Sequence, residues 1–141
     1  MKQHKFKGLF SSRRLDWETP KRAYQELDEE FNFTFDPCPT NPKFNGLERD
    51  WGKRNFVNPP YGREIGKWCK KAVEEWRKGK TVVMLIPSRT DTAWWHQYIM
   101  QATEIRFIVG RLKFDNFKTS APFPSAIIVF KGESKCKKAI K

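Results

Sequence analysis

Apolar residues recur along this chain in two patterns, some at helical spacing and some in unbroken runs. Ile65, Trp68, Cys69, Ala72, Val73 and Trp76 fall at i, i+3, i+4, i+7, i+8 and i+11. Lys67, Lys70, Lys71, Glu74, Glu75 and Lys78 occupy the opposite face, so the spacing predicts a surface helix closed by Gly79. Ala23, Tyr24, Leu27 and Phe31 repeat the pattern over 20–31, with Thr19 as N-cap and Pro20 at the first helical position. Trp94, Trp95, Tyr98, Ile99 and Ala102 do the same after Asp91-Thr92. The run Thr81 to Ile86 has strand length and no polar alternation, as a central parallel strand buried on both faces requires. Shorter apolar segments at 33–35, 55–57, 105–109 and 126–130 predict further strands.

Strands alternating with helices predict an α/β fold with a mixed, mostly parallel sheet of about five strands and flanking helices. The last two strands are joined without an obvious helix, so they are expected to be antiparallel neighbours. Residues 39–50 are rich in Pro, Asn, Gly and charge and read as a loop. At 141 residues the chain is expected to be a single domain, with residues 1–15 as a loose basic arm and 133–141 as a basic tail.

Charge adds a partner class to this outline. Of the net +12, residues 1–62 carry +2 (11 Lys and Arg against 9 Asp and Glu) and residues 63–141 carry +10 (17 against 7). A half this basic suits a surface that follows a phosphate backbone. No apolar stretch has the length to cross a membrane, and no apolar segment follows the basic residues at the amino terminus. Cys38, Cys69 and Cys136 are odd in number and far apart, which fits neither a disulfide framework nor a zinc site. A cytoplasmic protein without a metal is the expectation.

The candidate chemistry lies in two loops that each follow an expected strand. Asn58-Pro59-Pro60-Tyr61 comes directly after Phe56-Val57, and its two prolines prevent the chain from continuing as a central strand or as a helix. The loop thus sits at the carboxyl end of a strand, where open α/β sheets bind ligands. Its amide, proline carbonyl and aromatic ring can hold a flat, nitrogen-bearing ring. Asp36-Pro37-Cys38-Pro39 follows the preceding strand and opens toward the same crevice. Other signals fail. Gly79-Lys80-Thr81 resembles the end of a phosphate-binding loop, but Glu74 stands where that loop needs glycine, and a strand follows it. His4 and His96 are the sole histidines, too few for a histidine triad or metal cluster.

Seven segments in one order carry a resemblance: W-E-T-P (17–20), F-D-P-C-P (35–39), D-W (50–51), N-P-P-Y (58–61), M-L-I-P-S-R-T-D-T-A-W-W-H (84–96), G-R-L-K-F (110–114) and A-P-F-P-S-A-I-I-V-F (121–130). Together they resemble the phage-type DNA N-6-adenine-methyltransferase (Dam-like) family, over nearly the whole chain. The resemblance implies a reduced Rossmann-like fold, S-adenosylmethionine as methyl donor and double-stranded DNA as partner. It implies catalytic roles for Asn58, Pro59, Pro60 and Tyr61, with Asn58 and the Pro59 carbonyl holding the amino group of a flipped adenine and Tyr61 stacking on the base. It places Thr19, Pro20 and Asp36 around the donor, with Pro37 and Cys38 shaping that loop. Ser88, Arg89 and Asp91 fall at the rim of the site, and Arg89, Arg111 and Lys113 are the candidates for DNA contact.

The chain also departs from larger methyltransferases. The Asp36 loop lacks a glycine-rich turn, and about twenty residues separate it from Asn58, too few for two further βα units. The acidic residue that would grip the donor's ribose has no obvious counterpart. The residues alone leave three readings open. One is the DNA adenine methyltransferase, another is transfer to RNA or to a protein glutamine amide, and the last is a non-catalytic basic nucleic-acid-binding domain.

Overall fold

The computed structural model describes residues 17–132, so the basic arm, the basic tail and Cys136 lie outside the described residues. Four strands form one sheet: β1 (Arg54–Val57), β2 (Thr81–Pro87), β3 (Glu104–Phe107) and β4 (Ser125–Phe130), in the order β1-β2-β4-β3. β1 and β2 run parallel, with Arg54 level with Thr81 and Val57 with Met84. β4 lies between β2 and β3 and is antiparallel to both. The last two strands are therefore antiparallel neighbours, as expected of strands joined without a helix.

The five-stranded, mostly parallel sheet is corrected to four strands with one parallel pairing. The segment at 33–35 reaches the sheet only as a single parallel bridge, Phe35 to Asn55. The Thr34 and Phe35 N–H groups both converge on the Arg54 carbonyl, at 2.7 and 3.2 Å, and do not spread along a ladder. Pro37 and Pro39 then lack the N–H groups that continued pairing would need.

Among the described residues three α-helices cover the sheet. α1 (Lys21–Phe31) lies on one face, where Tyr24 meets Phe56 edge-on at 5.2 Å. On that face Arg106 of β3 donates to both carboxylate oxygens of Glu30, at 2.7 and 2.6 Å. α2 (Ile65–Arg77) and α3 (Ala93–Gln97) cover the other face, where Trp76 packs on Phe130 and Trp95 on Phe107. With helices on both sides, β2 is buried from Val82 to Pro87, which is why its sequence shows no alternation. Among the described residues no helix is long and apolar enough to cross a membrane.

The start of α1 differs from expectation. Thr19 does not cap it; the helix begins at Lys21, and its first N–H donates to Asp115 Oδ2 at 3.1 Å. The capping carboxylate comes from a loop distant in sequence, which leaves the Thr19 hydroxyl for another use. α3 does have a local cap, since Thr92 Oγ1 accepts from the Trp95 N–H at 3.2 Å. His96 closes the same turn by donating through Nε2 to the Thr90 carbonyl at 2.7 Å.

Glu75, assigned by spacing to the solvated face of α2, is fully buried. Its carboxylate accepts from the Trp51 N–H at 3.1 Å and pairs with Lys71, Lys78 and Lys80. Lys80 also donates to the Trp51 carbonyl at 2.8 Å, and the Trp51 indole donates to the Gly46 carbonyl at 2.7 Å. Gly46 in turn lies so close to the Asp36 loop that a Cβ there would sit 2.0 Å from the Pro37 carbonyl oxygen. A chain of contacts thus runs from α2 through the 45–52 loop to Pro37.

Burial alone would raise the Glu75 carboxyl pKa. The hydrogen bonds from Lys80, Lys78, the Trp51 N–H and Lys71 outweigh burial and bring it from 4.5 to about 2. A depressed carboxyl stabilises the fold above its unfolded pKa, and that contribution disappears as pH falls through the folded value. Glu75→Gln should therefore cost about 3 kcal/mol at neutral pH. The gap to wild type should close between about pH 4.5 and about pH 2. Urea denaturation across that range checks this, and a gap that stays constant would show that the Glu75 charge is irrelevant.

Candidate active site

The Asn58 loop leaves the carboxyl end of β1, and one side of it opens on a cavity of about 680 Å³. The other walls are the Trp17–Thr19 segment, the first turns of α1 and the Asp36–Pro42 loop. Asn58, Pro59 and Pro60 line this cavity together with Thr19, Asp36 and Cys38, so the two loops singled out in the sequence do face one space. Tyr24 and Phe56 contribute rings to the wall.

Asn58 is held by its amide nitrogen, which donates to the Trp17 carbonyl and to Thr19 Oγ1, the latter at 3.0 Å. A backbone carbonyl can only accept, so the nitrogen must face it and the orientation of the amide follows. Oδ1 is then directed elsewhere, shielded from solvent and without a hydrogen-bond partner in the protein. A buried acceptor left unpaired is costly and marks a place where a donor can be received. Ser88 Oγ, just past β2, and Ser125 Oγ, at the start of β4, share this condition.

The Trp17–Lys21 segment is positioned by a loop distant in the sequence. The Asp115 N–H donates to the Glu18 carbonyl at 3.1 Å, and Asn116 Oδ1 accepts from the Glu18 N–H at 3.0 Å. The Trp17 ring stacks on Phe117 at 4.3 Å and meets Phe123 and Phe114 edge-on at 5.1 and 5.3 Å. The 110–121 loop is therefore folded against the segment that fixes Asn58. Sequence reasoning did not single out Trp17 or Asp115; the tryptophan heading the W-E-T-P segment was the available signal for the first.

The electrostatics of the Asp36 region are set by burial. Burial raises the Asp36 carboxyl above its ordinary range, opposed by the Cys38 N–H that it accepts at 2.9 Å. A positive group brought near would relieve that penalty. Burial, followed by the charges of Asp28 and Asp36, also raises the Tyr24 phenol. Cys38 is half-buried at the wall, whereas Cys69 is buried in α2 with its thiol pushed to about 12 by desolvation.

Several expected site residues lie elsewhere. Tyr61, expected to stack on a base, is turned inward with 5% of its surface exposed. Its hydroxyl donates to the Leu85 carbonyl at 3.1 Å, and its ring meets Phe123 and Phe114 edge-on. Burial raises this phenol well above its usual value. Pro20 stands at the N-cap of α1, and Pro37 is buried behind the wall. Arg89, Arg111 and Lys113 are exposed and do not line the cavity; Arg89 lies 6.0 Å from the Phe123 ring. Arg111 and Lys113 alternate with half-buried Leu112 and fully buried Phe114. Among the described residues no group of three His, Cys, Asp or Glu side chains is placed to hold a metal.

Comparison with known proteins assigns the chain to a family. A protein annotated DNA N-6-adenine-methyltransferase from Escherichia phage T1 is 31% identical over 112 residues, covering 70% of this chain and 47% of that protein. Another of the same name, from Haemophilus phage HP1 (strain HP1c1), is 29% identical over 117 residues, covering 73% of this chain and 68% of that protein. The match therefore spans about half the length of the first relative and about two thirds of the second. The family model for DNA N-6-adenine-methyltransferase (Dam) matches residues 8–137, and with nearly the whole chain covered, the protein belongs to that family.

Proposed function

We propose that the chain is an S-adenosylmethionine-dependent methyltransferase acting on the N6 amino group of adenine in double-stranded DNA, with the cavity beside Asn58 as its active site. The unpartnered Asn58 Oδ1 carries this reading, because it is an acceptor without a donor on a residue that lines a ligand-sized space. The volume of about 680 Å³ lies within the range of roughly 300–1,000 Å³ usual for small-molecule sites.

The residues present fit a cationic donor. Thr19, Asp36 and Cys38 line the cavity and would hold it, with Pro20 and Pro37 shaping the backbone on either side. S-adenosylmethionine, when bound, supplies a methyl group carried on a sulfonium. Asp36 favours positive charge for the reason that raises its carboxyl in the unliganded protein.

The chain's own task is alignment of the acceptor. Adenine's exocyclic nitrogen is a weak nucleophile because its lone pair is delocalised into the ring. Asn58 Oδ1 and the Pro59 carbonyl accept hydrogen bonds from its two hydrogens, favouring the pyramidal form and the positive charge that develops. Both acceptors are neutral and need no titration. A base cannot reach this cavity from within a duplex, so it must be flipped out. Tyr24 and Phe56 offer rings at the wall, and stacking of this kind is worth about 1–3 kcal/mol per base. Tyr61 acts as a positioning residue, tying the loop to β2 through the Leu85 carbonyl. Arg89, Arg111 and Lys113 supply exposed positive charge for the phosphates.

Asn58→Ala should lower methyl transfer at least 100-fold, about the effect of removing one such acceptor or donor. Transfer of labelled methyl groups to unmethylated DNA, with nucleoside mass spectrometry to identify N6-methyladenine, measures this, while circular dichroism confirms folding. Retained activity in a folded Asn58→Ala would refute the acceptor role, and a methylated nucleoside other than N6-methyladenine would refute the substrate. Arg111→Ala should weaken DNA binding and reduce the salt slope of log K by about 1. An unchanged slope in fluorescence anisotropy would exclude a phosphate contact there.

A further inference from the structure

The carboxyl ends of β1, β2 and β3 and the start of β4 lie along one edge of the sheet, since Pro87 pairs with Ser125 and Ala126 with Phe107. The Asn58 loop leaves that edge at one side, and the chain following β3 leaves it at the other. Directly after β3 the surface changes character. Phe107 is 63% exposed and Val109 is 100% exposed, two of three large apolar side chains so exposed among the described residues. Gly110 follows at φ +77°, a left-handed conformation within a bend, and a Cβ there would meet open space. Exposed Arg111 and Lys113 come next, and Arg63 and Arg89 are exposed on the other loops of the same edge.

An apolar tip bracketed by cations has little use in water, yet it matches an opened duplex, whose phosphates attract cations and whose separated base steps admit apolar side chains. The spacing agrees. Three strand intervals of about 4.8 Å put the tip about 14 Å from the Asn58 loop, close to the major-groove width of about 12 Å. A base leaving the stack at the tip would thus have about one groove to cross before reaching Asn58.

We infer that the Phe107–Gly110 tip is a wedge that enters the DNA duplex, with Val109 occupying the stack beside the extruded base and Arg111 and Lys113 holding the flanking phosphates. This rests on the methyltransferase reading and deepens it by naming what opens the duplex. The wedge matters for paired DNA and not for DNA whose bases are already unstacked.

The test compares methyl transfer to an unmethylated linear plasmid and to its heat-denatured strands. Val109→Ser should lower the duplex-to-single-strand rate ratio about ten-fold, and Met100→Ser, which removes an exposed apolar side chain before β3, should leave the ratio unchanged. An unchanged ratio in Val109→Ser overturns the wedge. So does an equal fall in Met100→Ser, or a change in sedimentation with the ratio intact, which would make the tip a contact between copies of this chain. If wild type methylates neither DNA, the enzymatic reading fails by itself. The wedge is then judged by fluorescence anisotropy, where Val109→Ser must bind a matched duplex at least about five-fold more weakly than wild type does; equal affinity overturns it.

Discussion

Glu75 is the group on which the Asp36 wall of the site depends, and its position is set by how little room the chain leaves. A fully buried carboxylate is tolerable only with its charge and lone pairs matched. Three lysines and one backbone N–H provide that match. In meeting the need they join α2, the start of β2 and Trp51, and the Trp51 indole carries the connection to Gly46 and the back of the Asp36 loop. A loop of about a dozen residues builds this wall, secured at a buried charge.

The opposite wall is held by a different kind of force. The Trp17–Lys21 segment has almost no regular structure of its own; aromatic stacking and the side chains of Asp115 and Asn116 position it. It then receives the amide nitrogen of Asn58, which leaves the amide oxygen unpaired. Preorganisation of this sort places the cost of orienting a polar group in the folding of the protein and not in the reaction. The 110–121 loop consequently serves two ends, with Asp115 supporting the site while Arg111 and Lys113 face solvent.

The elements were legible where one pattern dominated. β2 is buried on both faces and reads as an unbroken run, and α2 shows its apolar stripe over three turns. The segment at 33–35 has the same local pattern as a strand, yet two prolines and convergence on the Arg54 carbonyl limit it to one bridge. Thr19 has the composition of an N-cap, but a carboxylate ninety-four residues away takes that role. Glu75 lies at a polar position of the helical repeat, and nothing local reveals that Trp51 of a loop twenty-four residues away closes over it. Periodicity reports the face of an element; it does not report what another element brings to that face.

The sequence by itself determined the family, the α/β class and the two loops that line the cavity, because these depend on residue types and their order. Double proline after an apolar run must end a strand, and one family model matches residues 8–137. Tertiary structure decided which groups within those loops are available. It turned Tyr61 inward to Leu85, directed the Thr19 hydroxyl and the Trp17 carbonyl to the amide nitrogen of Asn58, and left Oδ1 unpaired. The physical reason is that a side chain's availability depends on whether its hydrogen bonds are already satisfied, and the partners that satisfy them come from segments far apart in the chain.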